Sequence, residues 1–218
     1  MDKDFLTDKN EERRLQRRSE REDMRAKHNL MLICILSVAL GLVFGAEVCP
    51  AADMPPAEGA VLPDFTLPAS TVSDESNYLG VRQEGSFKVQ QIRCDILILE
   101  IFNMYCPYCQ REAPNVNEFY NLIADREGAG ARIKIVGVGV GNSPFEVQTF
   151  KKAYNVPFPL FPDNDFAIHK ALGQTRTPYF IGIKINPGGA HQVIYSRVGS
   201  IGEPREFLEL ILKQSRLK

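Results

Sequence analysis

Ile96-Leu97-Ile98-Leu99-Glu100-Ile101-Phe102-Asn103-Met104-Tyr105-Cys106-Pro107-Tyr108-Cys109 is the stretch on which the reading of the whole chain turns. Its first half, Ile96 to Phe102 with Asp95 just before it, is an apolar block of strand length with one carboxylate, Glu100, inside it. The next segment, Gln110 to Tyr120, reads as a helix. Two thiols at i and i+3 lie on one helix face, so their sulfurs can close a small ring. The first sits among the unpaired N–H groups of the helix start, where the helix dipole favours a thiolate. A thiolate is the nucleophile of disulfide exchange. Pattern and position together predict a redox site.

Outward from this stretch the chain alternates. After the strand at 96–102 the pattern predicts a helix from about 106 to 126, a strand within Ala131–Val140 and a helix over Pro144–Tyr154 with proline at its start. A short strand at Phe158–Phe161 and a short helix at Asp165–Leu172, ending at Gly173, come next. Tyr179–Ile185, the turn Asn186-Pro187-Gly188-Gly189 and His191–Val198 form the clearest hairpin. Glu203–Lys213 closes the chain as an amphipathic helix with Phe207, Leu208, Ile211 and Leu212 on one face. Pro114 would kink the long helix and free a carbonyl. Such alternation, ending in a hairpin and a helix, is an α/β fold: a mixed sheet sandwiched by helices. Before it, Pro63–Pro68 reads as a short strand between prolines, and residues 69–91 as polar connection with a second short strand at Phe87–Val89.

The N-terminal quarter has a different character. Residues 1–29 form a charged tail, and Leu30 to Ala46 is an uncharged apolar run at the short end of the about 17–25 residues that span a bilayer. Signal peptide and signal anchor both fit it. Met24-Arg25-Ala26-Lys27-His28-Asn29 makes a compact basic flank, so Met24 is the expected start, with 1–23 an upstream addition. Either way the positive-inside rule places the residues after Ala46 outside the cytoplasm, in the periplasm or cell envelope. Glu47-Val48 before Cys49 are wrong for a lipid-attachment box, and the arginine pairs at 13–14 and 17–18 lie too far from the apolar run for a twin-arginine signal. Residues 47–62, rich in Pro, Ala and acid, read as a linker, and 63–218 as the globular domain.

Composition removes several function classes. Of 218 residues 44% are apolar, enough for a core, and the formal net charge of −1 with no basic cluster in the globular part argues against nucleic acid as a partner. Three histidines, none spaced with a cysteine pair, give no zinc ligand set, and no metal or cofactor is expected.

Leu99 to Cys109, with Glu112 and Pro114 after it, resembles the active-site segment of the thioredoxin superfamily, in particular its membrane-tethered, extracytoplasmic thiol–disulfide oxidoreductases of the TlpA/ResA kind. The resemblance spans roughly residues 62–214. Pro63-Asp64-Phe65-Thr66-Leu67 resembles that family's N-terminal strand extension, Phe161-Pro162-Asp163 the segment after its central βα insertion, and Thr177-Pro178 its cis-proline before a strand. On this footing Cys106 attacks, Cys109 resolves, and the two form the redox disulfide. A permanently closed staple is the poor alternative, because so small a ring restrains little of the unfolded chain.

The resemblance also implies roles for the neighbours. Glu100 takes the place of a buried acidic group beneath the resolving cysteine and would shuttle its proton; otherwise it is a strand-edge glutamate reaching water. Glu112 would tune the thiols, or else be an exposed first-turn acid that suits the dipole. A cis Thr177-Pro178 bond would present the Thr177 backbone to an extended substrate, with Pro107, Tyr108 and Tyr105 completing the contact surface; an ordinary trans bond opening an edge strand is the alternative. Tyr105 stands where tryptophan is usual, and the chain has no Trp, so the usual fluorescence readout is lost. Pro107-Tyr108 is the pair seen in glutaredoxins and argues for a couple of about −200 to −230 mV.

Protein thiols and disulfides are the implied substrates, with a membrane electron donor and membrane contact through residues 30–46 if that run is retained. A reductase is expected, serving for instance cytochrome c maturation or envelope thiol homeostasis. An oxidase or isomerase of secreted proteins is the alternative. A peroxiredoxin needs a threonine three residues before its cysteine, where this chain has Asn103. A redox-inert binding domain would not keep both cysteines and the Thr-Pro pair. Cys94 reads as an inert buried thiol, and Cys34 and Cys49 have no assignable partner.

Overall fold

Seven consecutive residues, Ile96–Phe102, are buried on both faces of the sheet, as a central strand of an α/β fold requires. The computed structural model describes residue 25 and residues 54–69, 72–82, 85–126, 130–188 and 190–217. Residues 52–218 form one compact unit. The expected apolar segment at 30–46, and with it the choice between signal peptide and anchor, lies outside the described residues; so do Met24, Cys34 and Cys49. Among the described residues no helix is long and apolar enough to cross a membrane.

In chain order the elements are β1 (Thr66–Pro68), α1 (Ser73–Leu79), β2 (Ser86–Lys88), β3 (Ile96–Phe102), α2 (Pro107–Ala124), β4 (Ile133–Val140), α3 (Pro144–Ala153), β5 (Leu160–Asp163), α4 (Ala167–Ala171), β6 (Tyr179–Lys184), β7 (Gln192–Val198) and α5 (Pro204–Ser215). The main sheet runs β5-β4-β3-β6-β7. β3 pairs in parallel with β4, and β4 with β5, whereas β6 is antiparallel to both β3 and β7. β1 and β2 form a separate antiparallel ribbon with Leu67 opposite Phe87. This is the expected mixed sheet with an N-terminal strand extension, and the added strand–helix unit lies between β4 and β6.

The period of two along β3 sorts its side chains. Leu97, Leu99 and Ile101 join the core that Leu67, Leu79, Phe87 and Ile92 close from the N-terminal side. Ile96, Ile98 and Phe102 face the other core, built with Cys109, Val116 and Phe119 of α2 and Phe207 and Ile211 of α5. Phe119 and Phe207 meet edge to face, 5.0 Å between centroids, where α2 crosses α5. Each such side chain contributes about 1.5–3 kcal/mol by leaving water. Glu100 falls by parity on the face of α2.

Where the sequence reading misses, the reason is local. Ser73–Leu79 is a helix rather than polar connection; it buries only Ser76 and Leu79, too sparse a stripe to show as a periodicity. The second short strand is Ser86–Lys88, because Val89 already turns into a 3-10 helix. β5 begins at Leu160, opposite Gly137, two residues later than Phe158. The long helix, Pro107–Ala124 with Pro114 inside it, falls where the pattern places it.

The stretch read as a linker, 47–62, has its last residues hydrogen-bonded to β7. Gly59 N–H donates to Val193 O at 2.8 Å, Val193 N–H to Ala60 O at 2.9 Å and Leu62 N–H to His191 O at 3.0 Å. β7 is an edge strand with backbone groups to satisfy, and composition alone does not reveal such a vacancy. Further back, Met54 and Pro55 cross over Gly173, where a Cβ would stand 2.3 Å from the Met54 backbone. At φ +81° only glycine suits that position.

Candidate active site

The site lies where β3 ends, α2 begins and the loop into β6 comes alongside. Cys106 is the N-cap of α2, and Pro107 fills its first turn, where a missing N–H costs nothing. All three cysteines of the described domain are free: Cys106 is partly exposed, Cys109 and Cys94 are buried. The Thr177-Pro178 bond is cis, and Cys106 Sγ lies 3.4 Å from Thr177 O.

The two sulfurs differ sharply in acidity. Burial works against ionising Cys106, but the Thr177 side chain and the N–H groups of Cys109 and Tyr108 outweigh it and hold the thiol below its ordinary value. Cys109 is fully buried, and burial pushes it up to about 12, against the pull of the Asn103 backbone N–H and the Thr177 side chain and with help from the neighbouring Cys106. Cys106 therefore ionises first. The pair is built as an attacking and a waiting thiol.

Glu100 is 2% exposed, and Glu112 is 5% exposed. Neither is the solvated glutamate that the alternative readings allowed. Burial, and next the charge of Glu112, push Glu100 up to about 8. The Glu112 carboxylate reaches the turn after β7, where its Oε1 accepts from Ile201 N–H at 2.8 Å and from Ser200 Oγ at 3.0 Å. A glutamate one helical turn beyond the cysteines thus ties α2 to the segment that enters α5.

Tyr105 and Tyr108 are each 66% exposed and stand on the rim with Pro107. The Tyr105 hydroxyl donates to the Glu146 carboxylate, which also accepts from Ser143 N–H at 2.7 Å in the capping box of α3. The flat surface beside the thiol is thereby fixed against α3. Pro178 is buried beneath, and Thr177 is partly exposed.

Sequence reasoning passed over the residues that brace the loop before Cys106. Asn103 Nδ2 donates to Val140 O at 2.7 Å, and its Oδ1 accepts from Tyr105 N–H at 2.8 Å. Asn142, fully buried, accepts from Met104 N–H at 2.9 Å, and Gln110 Nε2 donates to Met104 O at 2.8 Å. Gly141-Asn142-Ser143-Pro144 has the look of a turn and cap, so nothing in it points to the cysteines. Cys94 takes no part in this network, and burial pushes it up to about 12, as an inert thiol should be. Among the described residues no three His, Cys, Asp or Glu side chains gather as a metal site.

The sequence model of the AhpC/TSA family matches residues 59–195. Among curated proteins, the thiol-disulfide oxidoreductase ResA of Halalkalibacterium halodurans is 25% identical over 185 residues, covering 84% of this chain and 92% of that protein. ResA of Bacillus subtilis is 27% identical over 161 residues, 73% of this chain and 76% of its own. Among solved structures, the thioredoxin domain of a thiol-disulfide oxidoreductase from Bacteroides vulgatus superposes with a TM-score of 0.54 at 12% identity, over 71% of this chain and 98% of that one. That likeness concerns the thioredoxin-like fold alone.

Proposed function

The chain belongs to the AhpC/TSA family, and from that premise we propose that it is a thioredoxin-like thiol–disulfide oxidoreductase that reduces protein disulfides outside the cytoplasm. One observation carries the exchange chemistry: Cys106 is held below its ordinary pKa while Cys109, in the same helical turn, is pushed up to about 12. In the forward direction the Cys106 thiolate attacks a client disulfide, one client thiolate leaves, and Cys106 is bound to the other half as a mixed disulfide. The negative charge on Cys106 is then gone, and with it one of the causes that keep Cys109 protonated. Cys109 gives up its proton, attacks Cys106 Sγ and releases the second client thiol. Two electrons have passed to the client, and Cys106–Cys109 is left as a disulfide.

Glu100 is the group on the α2 face of β3 to take that proton. With its pKa pushed up to about 8 it accepts in its ionised form, whose share grows as pH rises toward 8, and in the reverse direction the protonated carboxyl returns the proton to Cys109. Thr177 O, beside the attacking sulfur, and the Tyr105 and Tyr108 rings supply the surface on which an extended client segment lies. The apolar run at 30–46 with its basic flank supports action on the outer side of a membrane, where a membrane donor would restore the dithiol. Apocytochrome c thiols are one fitting client. A peroxidase reading has no support at Asn103, whose amide donates to Val140 O and accepts from Tyr105 N–H.

Insulin reduction with dithiothreitol is the first test: turnover no greater than that of Cys106→Ser would sink the exchange reading. Direction is tested by the reduction potential. A value of about −200 mV or below supports a reductase, and one of about −120 mV, that of a strong oxidant, would establish the oxidase alternative. Cys109→Ala should accumulate mixed disulfides on Cys106 in an envelope extract, and their partners are the clients.

A further inference from the structure

The hollow beside the reactive thiol extends past Thr177. A cavity of about 420 Å³ is lined by Tyr108, Arg111, Arg176, Pro178 and Val198. A second, of about 410 Å³, shares Arg176 and Val198 with it and is walled by Pro55 and Gly173. Together they make a groove that starts at the rim of the cysteine pair and follows the segment before Pro178.

Its charge is uneven. The Arg111 guanidinium rests 4.6 Å from the centre of the Tyr108 ring, which holds it on the rim. Arg176 is exposed and adjoins Thr177. Neither arginine forms an ion pair with a described carboxylate. The carboxylate that lines the first hollow, Glu112, is buried and already accepts from Ser200 and Ile201. The groove therefore carries two guanidiniums unmatched by any described carboxylate, in a protein whose net charge is −1. Val198, 53% exposed at the end of β7, is its apolar floor.

We propose that this groove selects protein disulfides in which an acidic residue flanks the reacting cysteine, its carboxylate taken by Arg111 and Arg176. The inference rests on the exchange reading above and names the client class of that same site. A guanidinium presents a planar fork of donors that matches a carboxylate. Arg176 adjoins Thr177, whose carbonyl O lies 3.4 Å from Cys106 Sγ, so an extended client segment that advances about 3.3 Å per residue from a cysteine at Cys106 passes Arg176 within a few residues. Client charge, rather than a shaped pocket, is what this surface reads.

The test uses symmetric disulfide dimers of one cysteine peptide with Glu, Gln or Lys two residues from the cysteine. Reduced protein delivers two electrons to each dimer, releasing two peptide thiols and ending as the Cys106–Cys109 disulfide. The expected order of rates is Glu, then Gln, then Lys, with about a tenfold span at low salt that shrinks at high salt. In R111Q/R176Q the span should fall to one. Equal rates in the parent protein, or an unchanged span in the double variant, overturn the proposal. So does a slower iodoacetamide reaction of Cys106 in R111Q/R176Q that accounts for the whole effect, because the arginines would then act through thiol acidity. Faster reaction of glutathione disulfide than of the Glu dimer would assign the groove to a small thiol instead. If no dimer reacts faster than with Cys106→Ser, the exchange reading itself fails.

Discussion

Cys106 Sγ and Thr177 O, 71 positions apart in sequence, lie 3.4 Å apart in space, and the Thr177 side chain helps hold both active-site thiols below where burial alone would put them. Contact between the helix start and the loop into β6 is what makes the thiol pair a site.

Thr177→Val removes the hydroxyl and keeps the shape. Cys106 should then ionise at higher pH, and its alkylation by iodoacetamide should slow at neutral pH while converging with the parent rate in alkali. An unshifted pH–rate profile would remove Thr177 from thiol activation.

Glu100 predicts a pH dependence of stability. Its pKa is raised from 4.5 to about 8 in the folded state, so between those values the unfolded chain ionises while the fold keeps its proton. Stability should fall as pH rises through that window and level off above it, by about 3–5 kcal/mol in all. Glu100→Gln should abolish the slope and be the more stable protein at pH 8. Above pH 8, where the parent carboxyl is ionised, the same variant should lengthen the life of the mixed disulfide on Cys106 by about 10²-fold, the scale of a lost proton acceptor.

Glu112 separates charge from hydrogen bonding. Glu112→Ala leaves the Ile201 N–H unpaired and should cost about 1–3 kcal/mol of stability, read as a lower Tm. Glu112→Gln keeps an acceptor for Ile201 and removes the repulsion on Glu100. Its stability–pH slope should therefore end at lower pH than in the parent.

Asn142 braces the loop before the cysteines from β4's far end. Asn142→Leu leaves Met104 N–H without its acceptor at 2.9 Å and should cost about 1–3 kcal/mol. Because Asn103 N–H acts on Cys109, the variant should also shift the reduction potential, which a merely structural residue would not do.

Much of the fold was legible because its central elements are extreme in pattern. Ile96–Phe102 reads as a strand buried on both faces, and Pro144 at the first position marks the start of α3. Ser73–Leu79 was not legible, since two buried positions in seven make no stripe, and neither was the pairing of residues 59–62 with β7, which uses backbone groups common to every sequence. In the site, Cys106, Cys109 and Glu100 declared themselves by type and spacing. Asn142, Ser200 and Arg176 did not, because an amide, a hydroxyl or a guanidinium in a loop acquires meaning only from its neighbours in space.

The sequence by itself determined the order of strands and helices from Ile96 onward and the presence of two thiols at a helix start, because hydrophobic period and i,i+3 spacing are local properties of the chain. It determined too that one carboxylate must live inside the central strand. Only the tertiary structure decided that Glu112 turns inward to the β7–α5 turn and that Thr177 reaches both sulfurs. It also decided that Arg111 and Arg176 line one groove. Each of these depends on through-space distance between segments far apart in the chain, and on the burial that strengthens charge interactions there.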